Sequence, residues 1–375
     1  MKKNLALPVL ALAMVWIQAA IPATAAKALW NAPAGEIIRQ LRTGKSAGSV
    51  VVLTESTGKT KWWIREIGPT GNARLLASGT EKPCSILPMS ALAYQGDHLV
   101  LCVKNRRAGQ VDWKQSAAEI VKQADRCSGD DSSTYYLLDC SLSHGRAIPI
   151  MPGAPTISGT VNAGRFILGV HRAYSHDGRF IAFRGEDRAK DLGGRHVDGI
   201  WLYDSLKKTT KFIWSEHGWC DAAWDDRGLL YLFDRATGSL YRGPGEPLKL
   251  FKMIHPGTFG AIAPNGNSAV VVDQKASSWR IHVANLAGDG SEPEFKARNS
   301  SPAVDVEWSR DSKYAVIIGT GNHSVPVLVG PGPTIAELKD VAKVWRADSG
   351  TAFISDGALA VVDGSQSKII RAVIK

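Results

Sequence analysis

The chain has 375 residues, 44% hydrophobic and 21% charged, which is enough apolar material for a sizeable core and excludes a disordered polymer. Lys and Arg outnumber Asp and Glu by 45 to 35, a net charge of +10. The basic residues are scattered and form no basic aromatic stripe, which argues against nucleic acid and leaves an anionic envelope polymer or an envelope protein as the expected partner.

The first element is a targeting signal. Lys2 and Lys3 precede an apolar run from Leu5 to Ala20, broken only by Pro8 and Gln18, and Ala23-Thr24-Ala25 supplies small residues where a signal peptidase reads. The run is at the lower limit for crossing a bilayer and no basic stop-transfer cluster follows, so no transmembrane segment is expected after cleavage. Residues 1–26 are thus read as a signal peptide and 27–375 as one domain, periplasmic or secreted and expected to be a monomer.

"KWWIREIGPTGNARLLAS" from Lys61 and "YYLLDCSLSHGRAIPI" from Tyr135 are the next elements, two strand pairs with polar turns. Between them, Asn105–Ser133 is an abnormally long connection in which Trp113, Ala117, Ile120, Val121 and Ala124 follow helical spacing, so a short amphipathic helix is predicted there. Cys84, Cys102, Cys127 and Cys140 fall in this third of the chain, and in an exported protein at least one disulfide is expected among them. Three pairings are open; Cys102 and Cys140 lie in adjacent predicted strands and are candidates for cross-strand neighbours. Cys220 stands apart and is expected to stay reduced.

From Ala173 the chain becomes repetitive. "AYSHDGRFIAF" (Ala173), "AWDDRGLLYLF" (Ala223), "AIAPNGNSAVV" (Ala261) and "EWSRDSKYAVI" (Glu307) share an apolar residue, three polar residues, a small residue (Gly178, Gly228, Gly266, Ser312) and an alternating strand. Each is followed by a second hairpin, such as "GIWLYDSLKKTTKFIW" or "VPVLVGPGPTIAELK". Two hairpins per repeat make a four-stranded blade, and a recurrence of about 40 to 50 residues is the propeller range. The C-terminal "TAFISDGALAVVDGSQSKIIRAVIK" adds three short strands, expected to be closed by a strand from the N-terminal part. The predicted fold is all-β: a single β-propeller, seven blades preferred and six possible, with one short helical insertion.

These repeats resemble the WD-like repeats of the TolB-type propeller of bacterial periplasmic proteins, on "YSHDGRFIAF" and "WSRDSKYAVI" with their following strand pairs "WLYD" and "PVLV", over about residues 173–344. The resemblance implies a fold. It names no reaction, because such repeats occur in binding proteins, peptidases and lyases alike.

With blade strands lettered A to D outward from the axis, B–C and D–A connections emerge on one face, here the top. Candidate binding residues gather there. "RGEDRAKDLGGRHVD" (Arg184–Asp198) is a long charged B–C loop carrying Arg184, Arg188, Arg195 and His196. "WSEHGWCDAAW" holds His217 and Trp219 in a D–A connection, and His171 and His255 stand at equivalent positions of neighbouring repeats. Imidazole is the usual nitrogen ligand of Zn and Cu, yet these residues come from different blades with no close-spaced pair, so no metal site is assigned. No catalytic residue is assigned and no cofactor is expected: Ser, His and Asp lack triad context, and "GPGEP" and "GPGP" lack the Lys-Ser/Thr of a phosphate loop. The expected function is an exported binding or scaffold propeller docking a protein or anionic envelope polymer on its top face. The alternative is a propeller enzyme, a lyase or hydrolase of anionic sugars, with or without the assistance of a metal.

Overall fold

A computed structural model describes residues 24–44, 46–58, 61–80, 93–95, 98–105, 134–141, 146–149, 170–172, 175–187, 197–207, 209–215, 220–245, 247–275, 277–288, 292–298, 303–319, 324–330, 335–345, 351–355 and 357–373. In chain order, β1 (Thr24–Asn31) precedes a sheet of β2 (Glu36–Thr43), β3 (Val50–Ser56), β4 (Lys61–Ile67) and β5 (Ala73–Thr80). A second sheet contains β6 (Ala93–Gln95), β7 (His98–Asn105), β8 (Thr134–Ser141) and β9 (Arg146–Pro149). Then come β10 (Val170–Arg172) and the three-stranded sheet of β11 (Phe180–Asp187), β12 (Val197–Asp204) and β13 (Thr209–Ser215).

The repetitive half continues with β14 (Cys220–Trp224), β15 (Leu230–Asp234), β16 (Ser239–Gly243) and β17 (Lys249–Met253). It goes on with β18 (Phe259–Ile262), β19 (Ser268–Lys275), β20 (Ser278–Asn285) and β21 (Glu294–Arg298), then β22 (Ala303–Trp308), β23 (Ala315–Gly319), β24 (Val327–Val329) and β25 (Ile335–Glu337). A short helix α1 (Lys339–Val344) leads to β26 (Thr351–Ser355), β27 (Ala358–Val362) and β28 (Lys368–Val373).

These strands form seven sheets among the described residues, antiparallel except where β10 joins the edge of β14 in parallel. The three C-terminal strands take β1 as their fourth, antiparallel to β28, with Lys27 opposite Arg371 and Asn31 opposite Lys368. The first and last described strands therefore share one sheet, the closure expected from the sequence.

Packing makes the sheets a propeller. Among the described residues, five junctions between successive sheets each hold an apolar cluster: Ala182 and Ile200 with Trp224 and Leu232, then Tyr231 and Phe233 with Val271, then Val270 and Ile281 with Ile317. Val316 and Leu328 next meet Phe353 and Val361, and Ala360 and Val362 meet Ile38 and Val52. A strand buried between two sheets reads as nearly continuous apolar sequence, and β14 and β23 are buried along their whole length. An outer strand has only one covered side, and β17 and β21 keep mostly exposed or half-exposed residues. Close approach at the axis demands small residues there. A Cβ on Gly260 of β18 would lie 2.7 Å from Phe233 Cε1 and closer still to Cδ1.

The repeated motif is one turn, used again. Gly178, Gly228, Gly266 and Ser312 all have positive φ, at 72°, 77°, 67° and 63°. In each, the backbone N–H at that position donates to the carbonyl three residues back, at 2.8, 3.1, 2.9 and 2.9 Å. Where a carboxylate or hydroxyl starts the turn, it closes it again: Asp225 Oδ1 accepts from Leu229 N at 2.8 Å, and Ser309 Oγ from Tyr314 N at 2.8 Å.

Two sequence expectations are corrected. The Arg184–Asp198 segment is not all loop, because β11 runs to Asp187 and β12 begins at Val197, with Arg184 paired to Ile200 inside the ladder. Cys102 lies opposite Leu137 and Cys140 opposite Leu99, so the two are not cross-strand neighbours. A three-residue offset is about 10 Å along a strand, beyond a disulfide's reach. The 105–133 insertion lies between β7 and β8 as expected, but its interior, with the predicted helix, Cys127 and the more distant Cys84, is outside the described residues. Cys220 is a buried thiol.

Candidate functional site

Strand directions decide which ends of the chain converge. β10 runs parallel to β14, with Val170 opposite Ala222 and Arg172 opposite Ala223. β11 returns through the Ser175–Phe180 turn, so Asp187 ends at the side where β10 begins. β14 starts at Cys220, immediately after Trp219, and bonds across to β18: Asp221 Oδ2 accepts from Gly260 N at 2.8 Å. The starts of β10, β14 and β18 and the end of β11 therefore share one face, the top.

Of the eight candidate residues, the structure describes three positions. Arg184 is on β11 and His171 on β10, the innermost strand, which also comes close to β22 on the far side of the axis. His255 lies in the connection between β17 and β18. Arg188, Arg195, His196, His217 and Trp219 lie outside the described residues.

The His255 side chain packs against β20, the third strand of the next sheet. The connection carrying it is laid across the next sheet, with His255 over β20 and Gly257 over β19, where a Cβ on Gly257 would sit 2.8 Å from the Val272 carbonyl. The His255 ring stacks on His282 with centroids 3.5 Å apart and planes 9° from parallel. Its backbone N–H donates to Glu292 Oε2 at 3.2 Å, and its Nδ1 is 2.5 Å from the Pro256 carbonyl and so carries the proton. His282 is only 3% exposed, and its Nε2 has no hydrogen-bond partner among the described residues. Burial first, and then His255, hold the His282 imidazole below its ordinary range; Arg280 acts the same way, while Glu294 and Asp273 oppose them.

Nearer the axis, Asp221 joins two sheets and a turn. Its carboxylate accepts from Arg235 Nε at 2.8 Å, from Arg235 Nη2 and from Gly260 N. Arg235 lies 5.4 Å over the Phe259 ring and its carbonyl accepts from Gly257 N at 3.1 Å. With Asp221 3% exposed, this is a fully bonded buried pair that locks the start of β18 to β14.

Sequence reasoning passed over Asp221, Arg235 and His282. The first lies inside the quoted "WSEHGWCDAAW", and a carboxylate in an inner strand flanked by Cys and Ala is a signal that a buried partner must exist. His282, in the alternating "WRIHVANL", takes the place of a core-facing residue, and nothing in the sequence indicates that His255 lies against it.

Among the described residues no three His, Cys, Asp or Glu side chains are arranged to hold a metal ion. His255 and His282 do not converge on one either, because imidazole lone pairs lie in the ring planes and these planes are parallel.

No protein-family model matches the chain, and no curated protein matches it by sequence. Solved structures do. A manganese complex of an oligogalacturonate lyase superimposes with a TM-score of 0.57 at 12% identity, covering 95% of this chain and 97% of that one. An oligogalacturonate lyase from Vibrio parahaemolyticus gives 0.52 at 10% identity, covering 95% and 99%. TolB from Acinetobacter baumannii gives 0.44 at 13% identity; the match covers 88% of this chain and 64% of the TolB chain.

Proposed function

We propose that the chain is an exported propeller, each of its seven sheets one blade, that binds an anionic envelope polymer or an acidic protein surface on its top face. The observation carrying this reading is the convergence of strand ends: β11, which bears Arg184, ends on the side of the molecule where β10, β14 and β18 begin, and in the sequence Arg188 and Arg195 follow directly after β11. These are also the places where the sequence departs most from its own repeat, and departures from a rigid scaffold are where binding residues gather. The net charge of +10 favours an acidic ligand.

A second reading is a propeller lyase acting on anionic sugars, supported by the full-length likeness to two oligogalacturonate lyases. No catalytic step is derived for it through a metal, since the described residues contain no arrangement that would hold one.

One experiment addresses both. Full mature protein is titrated with sodium polygalacturonate over a range of salt, with and without Mn²⁺, while the ultraviolet absorbance of an unsaturated uronate product is followed. Salt-sensitive binding without product supports the first reading, and product formation supports the second. In the variant Arg188→Glu with Arg195→Glu, affinity is expected to fall about tenfold or more at low salt, with a shallower salt dependence. Unchanged affinity and unchanged salt dependence would exclude the charged loop from the site.

A further inference from the structure

We propose that the His255–His282 stack is an acid-sensitive seam between the β14–β17 and β18–β21 sheets, whose protonation releases the Ile254–Thr258 connection. The device is built from groups already in place. His282 is fixed in the middle of β20, paired with Val271 of β19 and Glu294 of β21, whereas His255 sits in a connection with no ladder of its own. When the rings part, His255 is therefore the one that moves.

The chemistry gives the direction. A neutral His282 protonated on Nδ1 presents Nε2 as a lone pair, which the buried site tolerates. The imidazolium would instead present a buried Nε2–H with no acceptor among the described residues, in a ring whose centroid is 3.5 Å from that of a second imidazole. The charged groups around it are Arg280 on its own strand, Asp273 on β19, Glu294 on β21 and His255 from the connection, with Glu292 holding the His255 backbone. The two carboxylates favour the proton, while burial, His255 and Arg280 oppose it. Opening the seam removes the burial and moves His255 away while leaving Glu294 and Asp273 where they are. Acid thus favours the open form.

The consequence reaches the top face. Gly257 N donates to the Arg235 carbonyl, and Arg235 holds Asp221 against the start of β18, so a released connection loosens the ends of β14 and β18 together.

The sign follows from linkage. His282 is depressed when folded, so below an ordinary histidine pKa of about 6.5 the open or unfolded chain binds the extra proton, and stability is lost as pH falls through that value towards the depressed one. The opening ratio can rise at most about tenfold per pH unit in that window.

The test uses the full mature chain. Amide hydrogen exchange, corrected for the intrinsic pH dependence, is compared for residues 254–260 and for β27 between pH 7.5 and pH 5. The proposal expects exchange in 254–260 to speed up severalfold or more on acidification while β27 stays flat; equal behaviour in the two segments overturns it. His282→Phe keeps a flat ring against His255 but removes the proton site, and it should abolish the acid-induced change. A folded His282→Phe protein that keeps the wild-type pH response also overturns the proposal. If that variant does not fold, the wild-type exchange profile decides alone.

Discussion

At the residue scale, the most consequential side chain is Asp221. Three N–H groups from two different sheets converge on one carboxylate that is 3% exposed. Asparagine there would keep the shape but turn one acceptor edge into a donor facing other donors, and would leave Arg235 without its counter-charge. Asp221→Asn is therefore expected to cost about 3 kcal/mol, read as a lowered denaturant midpoint with an unchanged slope. A loss below about 0.5 kcal/mol would show that the contact is peripheral. The more exposed Arg179–Asp204 pair works by the same chemistry on the opposite face. Arg179 and two turn amides lower the Asp204 pKa to about 2, so its contribution is present at neutral pH and disappears only as pH falls from about 4 towards 2.

At the element scale, the recurring turn separates backbone strain from crowding. Gly228 and Gly266 occupy the same position with φ of 77° and 67°, yet their surroundings differ. A Cβ on Gly228 meets nothing within 4 Å, whereas one on Gly266 would lie 2.6 Å from the Tyr231 hydroxyl and closer still to Arg227 and Asp225. Gly228→Ala should cost only the left-handed penalty, about 1 kcal/mol. Gly266→Ala should cost about 2 to 3 kcal/mol, because the Asp225–Arg227–Tyr231 cluster must also shift. Urea denaturation of the two variants side by side checks this, and equal losses would mean that the cluster gives way freely. Ser312 reaches φ 63° without being glycine, helped by its turn: Asp311 caps Lys313 N at 3.1 Å and Ser312 Oγ accepts from Asn265 N at 2.9 Å.

At the scale of the whole molecule, closure rests on β1. Among the described residues this strand pairs only with β28, through two register irregularities, yet it brings Leu29 and Trp30 against the cluster shared with Ile38 and Val52. Arg65, held by Glu36 at 2.6 Å, lies 6.0 Å over the Trp30 ring and 5.3 Å over that of Trp63. A mature chain beginning after Asn31 is expected to lose about 3 kcal/mol from those half-buried side chains and to expose the β28 edge, a template for association. Thermal melting and size-exclusion chromatography would show a lower midpoint and new oligomers. An unchanged midpoint and a monomer profile would mean that the ring closes without β1.

The architecture was legible because it is periodic. Alternating strands, a polar turn at a fixed offset and a small residue at the positive-φ position are local requirements, so they recur in the sequence wherever the turn recurs, from Gly178 to Ser312. The end of the chain was legible for the same reason: three strands without a fourth imply a partner elsewhere, and β1 is that partner. Register was not legible. Nothing local sets Cys102 opposite Leu137, because a ladder slides until the faces of both neighbouring sheets are satisfied. Nor was the site. Asp221 with Gly260, and His255 with His282, are contacts between sheets, 39 and 27 residues apart along the chain, and only the packing of one blade against the next determines which side chains meet there.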